Sequence, residues 1–365
     1  MFTENDLREL LEWHAPDSVL SIYLNTDPSL GNTDAYSLRL RNMLKEVNLP
    51  DDLAAVEKYM NTEYDWSGRG IAIFSCAANN NFRAYPLAIP VHDMVQVGDY
   101  PGIQPLANQL ETYGGYGVVV IDKQGARLFS FHLGELKEQE GVLGDTVKRM
   151  KRGTASGLAG RRGGTEQARA MDETIDRNMR EAAEFAARFF EENNIRRILI
   201  GGTDDNIAAL RSQLPKAWQS LIVGTFASSM LASHNEVFSK ALELGREADK
   251  KRIKSLVNTL TSAAAKGQGA VIGLEETLAA VSEGRVKTLV MVDNLHLPGY
   301  ICRDCGILTT QPEETCRGCS NPPEAIRDVV EAAVTATLRS GGGVEVILEE
   351  INLPGDGHIG ALLRY

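Results

Sequence analysis

The chain reads as a multidomain α/β protein, and three observations carry that reading. Its 365 residues exceed what one ordinary core accommodates, so two or three domains of about 100–150 residues each are expected. Short apolar runs of strand character, SVLSIYLNT, GYGVVVID, RRILIGG and VKTLVMVD, are separated by stretches with helical spacing of apolar residues. Hydrophobic content of 43% beside 24% charged residues is that of a globular protein. Helices alternating with strands predict layered α/β sandwiches. No short internal repeat is visible.

Three segments follow in order, with boundaries placed at 1–107, 108–236 and 237–365. The first is a mixed α/β unit. It opens with a helical pattern through Leu7, Leu10 and Leu11 and enters the strand SVLSIYLNT. Helices follow over Tyr36–Val47 and Asp51–Met60, with Asp51 and Asp52 as caps, then strands IAIFSC and FRAYPLAIPV. The Pro-rich stretch Pro101–Pro105 marks its end.

In the second segment GYGVVVID is a buried strand and KQGARLFSF its hairpin partner. The longest helix is expected from about Glu166 to Glu192. Met171, Ile175, Met179, Ala182, Ala186 and Phe189 recur every three or four residues as one apolar stripe. Acid-before-base pairs, Glu173–Arg177, Asp176–Arg180 and Glu184–Arg188, occupy the opposite face. The GGTDDN turn after RRILI lacks the lysine of a phosphate loop and reads as a plain strand-to-helix turn. The third segment has a charged helix over Arg246–Lys266, a helix through AVIGLEETLAAVSEG, strand VKTLVMVD, a helix from Ile326 to Leu338, strand VEVIL and a closing strand GALLRY.

Cys302, Cys305, Cys316 and Cys319 form C-x2-C-x10-C-x2-C. Two such knuckles can surround one ion tetrahedrally, and zinc is the usual occupant; a disulfide pair is the alternative. Four protein ligands leave no open position for water, so the ion is expected to be structural. Gly306 and Gly318 are expected to supply the backbone freedom of the knuckles. The module, residues 300–320, reads as a zinc ribbon inserted in a larger fold. Cys76, in the apolar IAIFSC, reads as a buried core thiol.

The net charge of −11 hides a local exception over residues 146–170. Lys148, Arg149, Lys151, Arg152, Arg161, Arg162 and Arg169 are basic there, against one acid, Glu166, and the window holds five glycines. An acidic body with one basic, glycine-rich projection suits presentation of a single arm to phosphates; a solvated loop without a partner is the alternative. No apolar run approaches the about 18 residues of a membrane span. The acidic, amphipathic start lacks the regions of a signal peptide. Together with reduced cysteines this points to the cytoplasm. The six histidines show no HExxH-type spacing and read as structural, and no GxSxG elbow is present.

GLEETLAAVSEGRVKTLVMVDN, the paired CxxC motifs, GGGVEVILEE and the ending GDGHIGALLRY, taken in that order, resemble the C-terminal domain of the archaeal and eukaryotic class I peptide-chain release factors and their Pelota and bacterial relatives. The strand pair, basic loop and long helix resemble that family's middle domain, and SVLSIYLNTDP resembles the amino-terminal domain of bacterial relatives. The likeness covers most of the chain and is most specific at its C-terminal end. It implies an L7Ae-like α/β/α C-terminal domain carrying the ribbon, and a middle domain whose glycine-rich loop enters the peptidyl-transferase centre. It also implies ribosomal partners, large-subunit rRNA and peptidyl-tRNA, and a translational GTPase docking on the C-terminal domain.

The family's Gly-Gly-Gln tip is represented here by Gly163-Gly164-Thr165-Glu166-Gln167, with the glutamine two residues late, a form similar to the variant loop of the quality-control branch. The resemblance implies hydrolysis of the ester joining peptide to tRNA. Gly163 and Gly164 would shape the loop and Gln167 place a water, with the helix start, capped by Thr165, facing the developing oxyanion. The seven basic residues would seat the arm on RNA phosphates. The NIKS and YxCxxxF motifs of stop-codon readers are absent from the first segment, so the expected activity is codon-independent rescue. The alternative is a non-catalytic ribosome binder acting in rescue or dormancy.

Overall fold

The computed structural model describes residues 2–13, 18–132, 135–143, 160–293, 295–312, 314–347, 353 and 357–365. The chain divides into two compact units, one made of Met1–Thr112 together with Lys251–Tyr365 and the other of Tyr113–Lys250. The first and third segments, expected as separate domains, thus share one unit. The expected boundary at 236/237 falls inside a continuous helix.

The N-terminal part of the first unit comprises α1 (Glu4–Glu12), β1 (Val19–Asn25), α2 (Thr33–Met43), α3 (Pro50–Thr62), β2 (Gly70–Cys76), β3 (Asn81–Leu87), β4 (Met94–Gly98) and α4 (Gln104–Tyr113). Its sheet has the order β3-β2-β1-β4, with every neighbouring pair antiparallel. Alternation along β1 serves both faces. Leu20, Ile22 and Leu24 pack with Ile71 and Ile73 against Tyr36 and Leu40 of α2 and Val56 and Met60 of α3. Ser21 and Tyr23 point to the other face. There the Tyr23 hydroxyl donates to Gly102 O at 2.7 Å and the Gly102 amide donates to Ser21 Oγ at 2.9 Å. Asp52, expected as a helix cap, instead accepts from Ser75 Oγ at 2.6 Å and the Ala77 amide at 2.8 Å, tying α3 to the end of β2.

The second unit carries β5 (Tyr116–Ile121), β6 (Gly125–His132), β7 (Glu135–Leu143), α5 (Gly160–Glu192), β8 (Arg197–Gly202), α6 (Asp204–Gln213), α7 (Lys216–Gln219) and β9 (Ile222–Ala227). It also takes the first half of α8 (His234–Ala265). The sheet order is β7-β6-β5-β8-β9, antiparallel on the β6 side and parallel through β8 and β9. Val119 and Ile121 face Met179, Ala182, Ala186, Phe189 and Phe190 of α5, with Ile207 and Leu210 of α6. Val118 and Val120 face Val237 and Ala241 of α8. The result is a three-layer α/β/α sandwich. The GGTDDN turn is plain: Thr203 Oγ1 accepts the Asn206 amide at 3.4 Å, and Asp204 and Asp205 fill the first turn of α6, where carboxylates suit the helix dipole.

Two helices begin earlier than the sequence suggests. α5 starts at Gly160 instead of Glu166. Arg161, Arg162, Glu166, Gln167, Ala168, Arg169 and Ala170 are strong helix formers, enough to carry two glycines that cost about 1 kcal/mol each. The C-terminal end of the expected 146–170 loop is therefore helical, and Thr165 lies within the helix, not at its cap. α8 starts at His234 behind a capping box, in which the Ser233 amide donates to Glu236 Oε2 at 2.7 Å and the Glu236 amide to Ser233 Oγ at 3.3 Å. Gly245 interrupts the helical pattern in sequence but not the helix.

The rest of the first unit is β10 (Ala270–Ile272), α9 (Leu274–Ser282), β11 (Val286–Val292), β12 (Gly299–Ile301), β13 (Leu308–Thr309), β14 (Glu324–Ile326), α10 (Val329–Arg339), β15 (Gly343–Ile347) and β16 (Ile359–Leu363). The larger sheet has the order β10-β16-β11-β15, with β11 and β15 parallel. Val290 and Val292 pack against Ile253, Val257 and Leu260 of α8. β10, three residues inside a run read as helix, pairs antiparallel with β16; so short an apolar run carries no period of its own. Among the described residues no helix is long and apolar enough to cross a membrane.

Candidate functional site

The cysteine module is a three-stranded ribbon of order β13-β12-β14, in which Tyr300 pairs with Thr309 and with Ala325. Each CxxC turns on itself by the same pair of backbone bonds. In the first knuckle the Gly306 amide donates to Cys302 O at 2.8 Å and the Cys302 amide to Ile307 O at 2.9 Å; in the second, Ser320 N donates to Cys316 O at 3.0 Å and Cys316 N to Asn321 O at 2.8 Å. The residue after each second cysteine takes positive φ, +76° at Gly306 and +66° at Ser320. Gly306 does what was expected of it. Gly318 does not: the left-handed position belongs to Ser320, and Gly318 instead leaves room for the Ile307 side chain. A Cβ there would lie 2.5 Å from Ile307 Cδ1 and 3.4 Å from Cys305 Sγ.

This geometry brings the four sulfurs together, all within 4.8 Å of one another. Cys302 Sγ lies 3.2 Å from Cys319 Sγ, and Cys305 Sγ 3.3 Å from Cys316 Sγ, and all four are free thiols. Sulfurs about 2.3 Å from a central ion form a tetrahedron with edges of about 3.8 Å; the two close pairs lie somewhat inside that value, and every pair lies within 4.8 Å. The donor set fits one metal ion. Cys302 and Cys316 are buried, Cys319 half-buried and Cys305 exposed. The Cys305 amide, and after it the Cys319 thiol, hold the Cys302 thiol down at about 7. At Cys305 the Ile307 amide pulls the same way, but the neighbouring thiols and desolvation push it up to about 12.

The second candidate region is the start of α5. Gly163, Gly164 and Gln167 lie within its first two turns, together with Arg161 and Arg162, and Arg169 is exposed. Lys148, Arg149, Lys151 and Arg152 lie outside the described residues. None of the described side chains from Arg169 to Arg177 is buried. The helix joins the core at Asn178, whose Nδ2 donates to Lys123 O at 3.0 Å, and at Met179. The expected apolar stripe is thus core packing from Met179 onward, with Ile175 at its margin. At about 1.5 Å per residue, the stretch from Gly160 to Arg177 is about 27 Å long.

A third cluster was not legible in the sequence. Asp328 caps α10 by accepting the Val330 and Glu331 amides at 2.9 and 3.2 Å through Oδ1. Its Oδ2 takes Gln96 Nε2 at 3.1 Å and lies 2.6 Å from His296 Nδ1. That bond raises the His296 pKa against the opposing effect of burial. Glu331, 3% exposed, accepts the Ile103 amide at 2.8 Å. Burial drives its carboxyl up to about 8, against the pull of that amide. The signal available was one acid at the N-cap and one in the first turn of a helix, which is indistinguishable from ordinary capping.

Residues 101–246 match the model of the Bacterial archaeo-eukaryotic release factor family 10. The middle segment is thereby similar to the bacterial relatives of the archaeo-eukaryotic release factors, whereas the motif likeness was most specific at the C-terminal end. No curated protein matches the chain. Among solved structures, the archaeal translation termination factor aRF1 is 16% identical, covering 98% of this chain and 96% of its own, with a TM-score of 0.27. Dom34 of S. cerevisiae, described as a translation termination-like factor in RNA quality control that interacts with Hbs1, is 10% identical over 83% and 81%, with a TM-score of 0.42. A model of ribosome-bound archaeal Pelota and ABCE1 is 13% identical over 100% and 94%, with a TM-score of 0.41.

Proposed function

We propose that the protein is a ribosome-associated factor that hydrolyses the peptidyl-tRNA ester without reading a codon, in rescue of stalled ribosomes. The observation that carries this reading is the release-factor family match over residues 101–246, which contains the whole basic, glycine-rich stretch and α5. In this reading Arg161, Arg162 and Arg169, with Lys148, Arg149, Lys151 and Arg152, neutralise rRNA phosphates. Gly163 and Gly164 allow close backbone approach, and Gln167 orients the attacking water without bringing charge into an RNA site. The four thiols hold a structural zinc: four ligands leave no position open for chemistry, so the ion shapes the ribbon and takes no part in hydrolysis. A translational GTPase docking on the C-terminal part belongs to the same reading, as does a cytoplasmic location.

One observation favours a second reading, a factor that occupies the ribosome without cleaving anything. Gly163 and Gly164 are helical, and beyond the first four residues of a helix the amides are bonded within it. From Gly164 onward they are therefore engaged and not free to stabilise an oxyanion. Catalysis requires this first turn to unwind on the ribosome.

Release of labelled peptide from peptidyl-tRNA, on ribosomes and on isolated large subunits, with and without a stop codon, separates the two. Codon-independent release by the wild type, lost in Gln167→Ala with binding retained, is the expected result. No release by either protein, with binding intact, would establish the non-catalytic factor.

A further inference from the structure

The cysteine ribbon stands on a stalk formed by β12 and β14. At its foot the Val329 amide donates to Leu297 O at 2.8 Å, and His296 pairs with Asp328 at 2.6 Å. One stretch of the N-terminal part, the end of β4 and the turn into α4, runs along this stalk in step. Gln96 donates to Asp328 at the foot, at 3.1 Å. Asp99 accepts the Arg327 backbone amide at 3.1 Å, one residue further up β14's exit. The Tyr100 hydroxyl accepts from Arg303 Nη1 at 2.8 Å, and the guanidinium carbon lies 5.8 Å from the Tyr100 ring centre. Arg303 sits between Cys302 and Cys305, inside the first knuckle, and its Nε donates to Glu324 of β14 at 3.0 Å. Beyond the ladder, Ile103 donates to Glu331, and Arg339 Nε donates to Leu11 O at 2.9 Å.

We infer that the four-thiol centre holds residues 96–103 in place, so that ion occupancy governs docking of the N-terminal sheet on the C-terminal part of the same unit. The ribbon's strands are three, two and three residues long, too short to persist as an independent sheet. What closes the two knuckles is the shared ion, whose binding free energy is folding free energy for so small a module. Arg303 keeps its direction only while the Cys302–Ile307 turn is closed. With the turn open, Tyr100 and Glu324 lose their common donor and β14 its partner strand. Arg327 is then no longer held opposite Asp99. The inference rests on the centre holding an ion, and the experiment reads that separately.

The test is hydrogen exchange with mass spectrometry on the full chain, with and without a zinc chelator, alongside elemental analysis. One ion per chain is expected. Its removal should speed exchange across residues 99–107 by about tenfold or more, while β5 and β8 of the other unit stay unchanged. Arg303→Ala, with its ion retained, should speed 99–107 and leave 302–319 as in the wild type. Chelation that loosens 302–319 but not 99–107 would overturn the inference, as would ion-loaded Arg303→Ala exchanging like the wild type. A chain that binds no ion yet protects 99–107 would remove both the inference and the metal reading beneath it.

Discussion

Replacing Glu331 with glutamine removes one titrating group and almost no shape. The carboxyl is buried, and its Oε1 takes the Ile103 amide at 2.8 Å, a bond the amide oxygen of glutamine can also accept. Burial, the largest cause, raises its pKa from 4.5 to about 8, with Asp328 adding to the rise and the Ile103 and Gln104 amides and His296 opposing it. The sign follows from linkage. A group whose folded pKa lies above its unfolded value contributes stability that is fully present below the unfolded pKa and is lost as pH climbs through the folded one. For Glu331 the window runs from about pH 4.5 to about pH 8. At about 1.4 kcal/mol per unit of pKa difference, the full effect is on the order of 5 kcal/mol. Glu331→Gln should therefore match the wild type near pH 4.5 and be the more stable protein at pH 9 by up to that amount. His296, also raised by Asp328, loses its own contribution as pH rises through its folded pKa. Glu331 adds to that rise in pKa, so the difference between the two proteins reads Glu331 together with its smaller effect on His296. Urea unfolding by circular dichroism at pH 4.5, 7 and 9 reads the gap. A gap that stays constant with pH would refute the account, because it would mean that Glu331 ionises in the fold as it does in water.

Changing Cys302 and Cys305 together to serine should abolish ion binding and lower the melting temperature of the first unit by several degrees. An unchanged melt, with no metal in the wild type, would remove the metal centre. Gly318→Ala would drive a Cβ to 2.5 Å from Ile307 Cδ1 and 3.4 Å from Cys305 Sγ, so the ion should be held more weakly in competition with a chromophoric chelator. Equal affinity would show that Ile307 yields freely. Changing Lys148, Arg149, Lys151 and Arg152 to glutamine should weaken ribosome binding and flatten its dependence on salt. An unaltered salt slope in pelleting assays would mean that these side chains do not meet phosphates.

Much of this molecule is legible locally. The alternation in SVLSIYLNT, the buried run GVVVI and the stripe from Met179 to Phe189 each carry a period that belongs to one element, and each forms that element. The C-x2-C spacing likewise places its thiols without outside help, since two residues between cysteines suffice to close a knuckle. Where local signals competed, the reading slipped. Glycines at 163 and 164 looked like loop, yet flanking helix formers outweighed them, and a capping box at Ser233 starts the other long helix well before Arg246. Gly318 looked like the flexible residue of its knuckle, yet Ser320 takes the left-handed turn because the position after the second cysteine demands it.

By itself, then, the sequence determined the strongly periodic elements, the α/β class, the grouping of four thiols and the likeness to release factors, because periodicity and short spacings are properties of neighbouring residues. Only the tertiary structure decided that the first and third segments share one unit. It alone made Asp328 and Glu331 a buried polar junction and set Gln96, Asp99 and Tyr100 against the ribbon. Those contacts join residues more than 200 positions apart. Burial of a carboxyl is created by what packs over it, and no local pattern encodes which distant segment that will be.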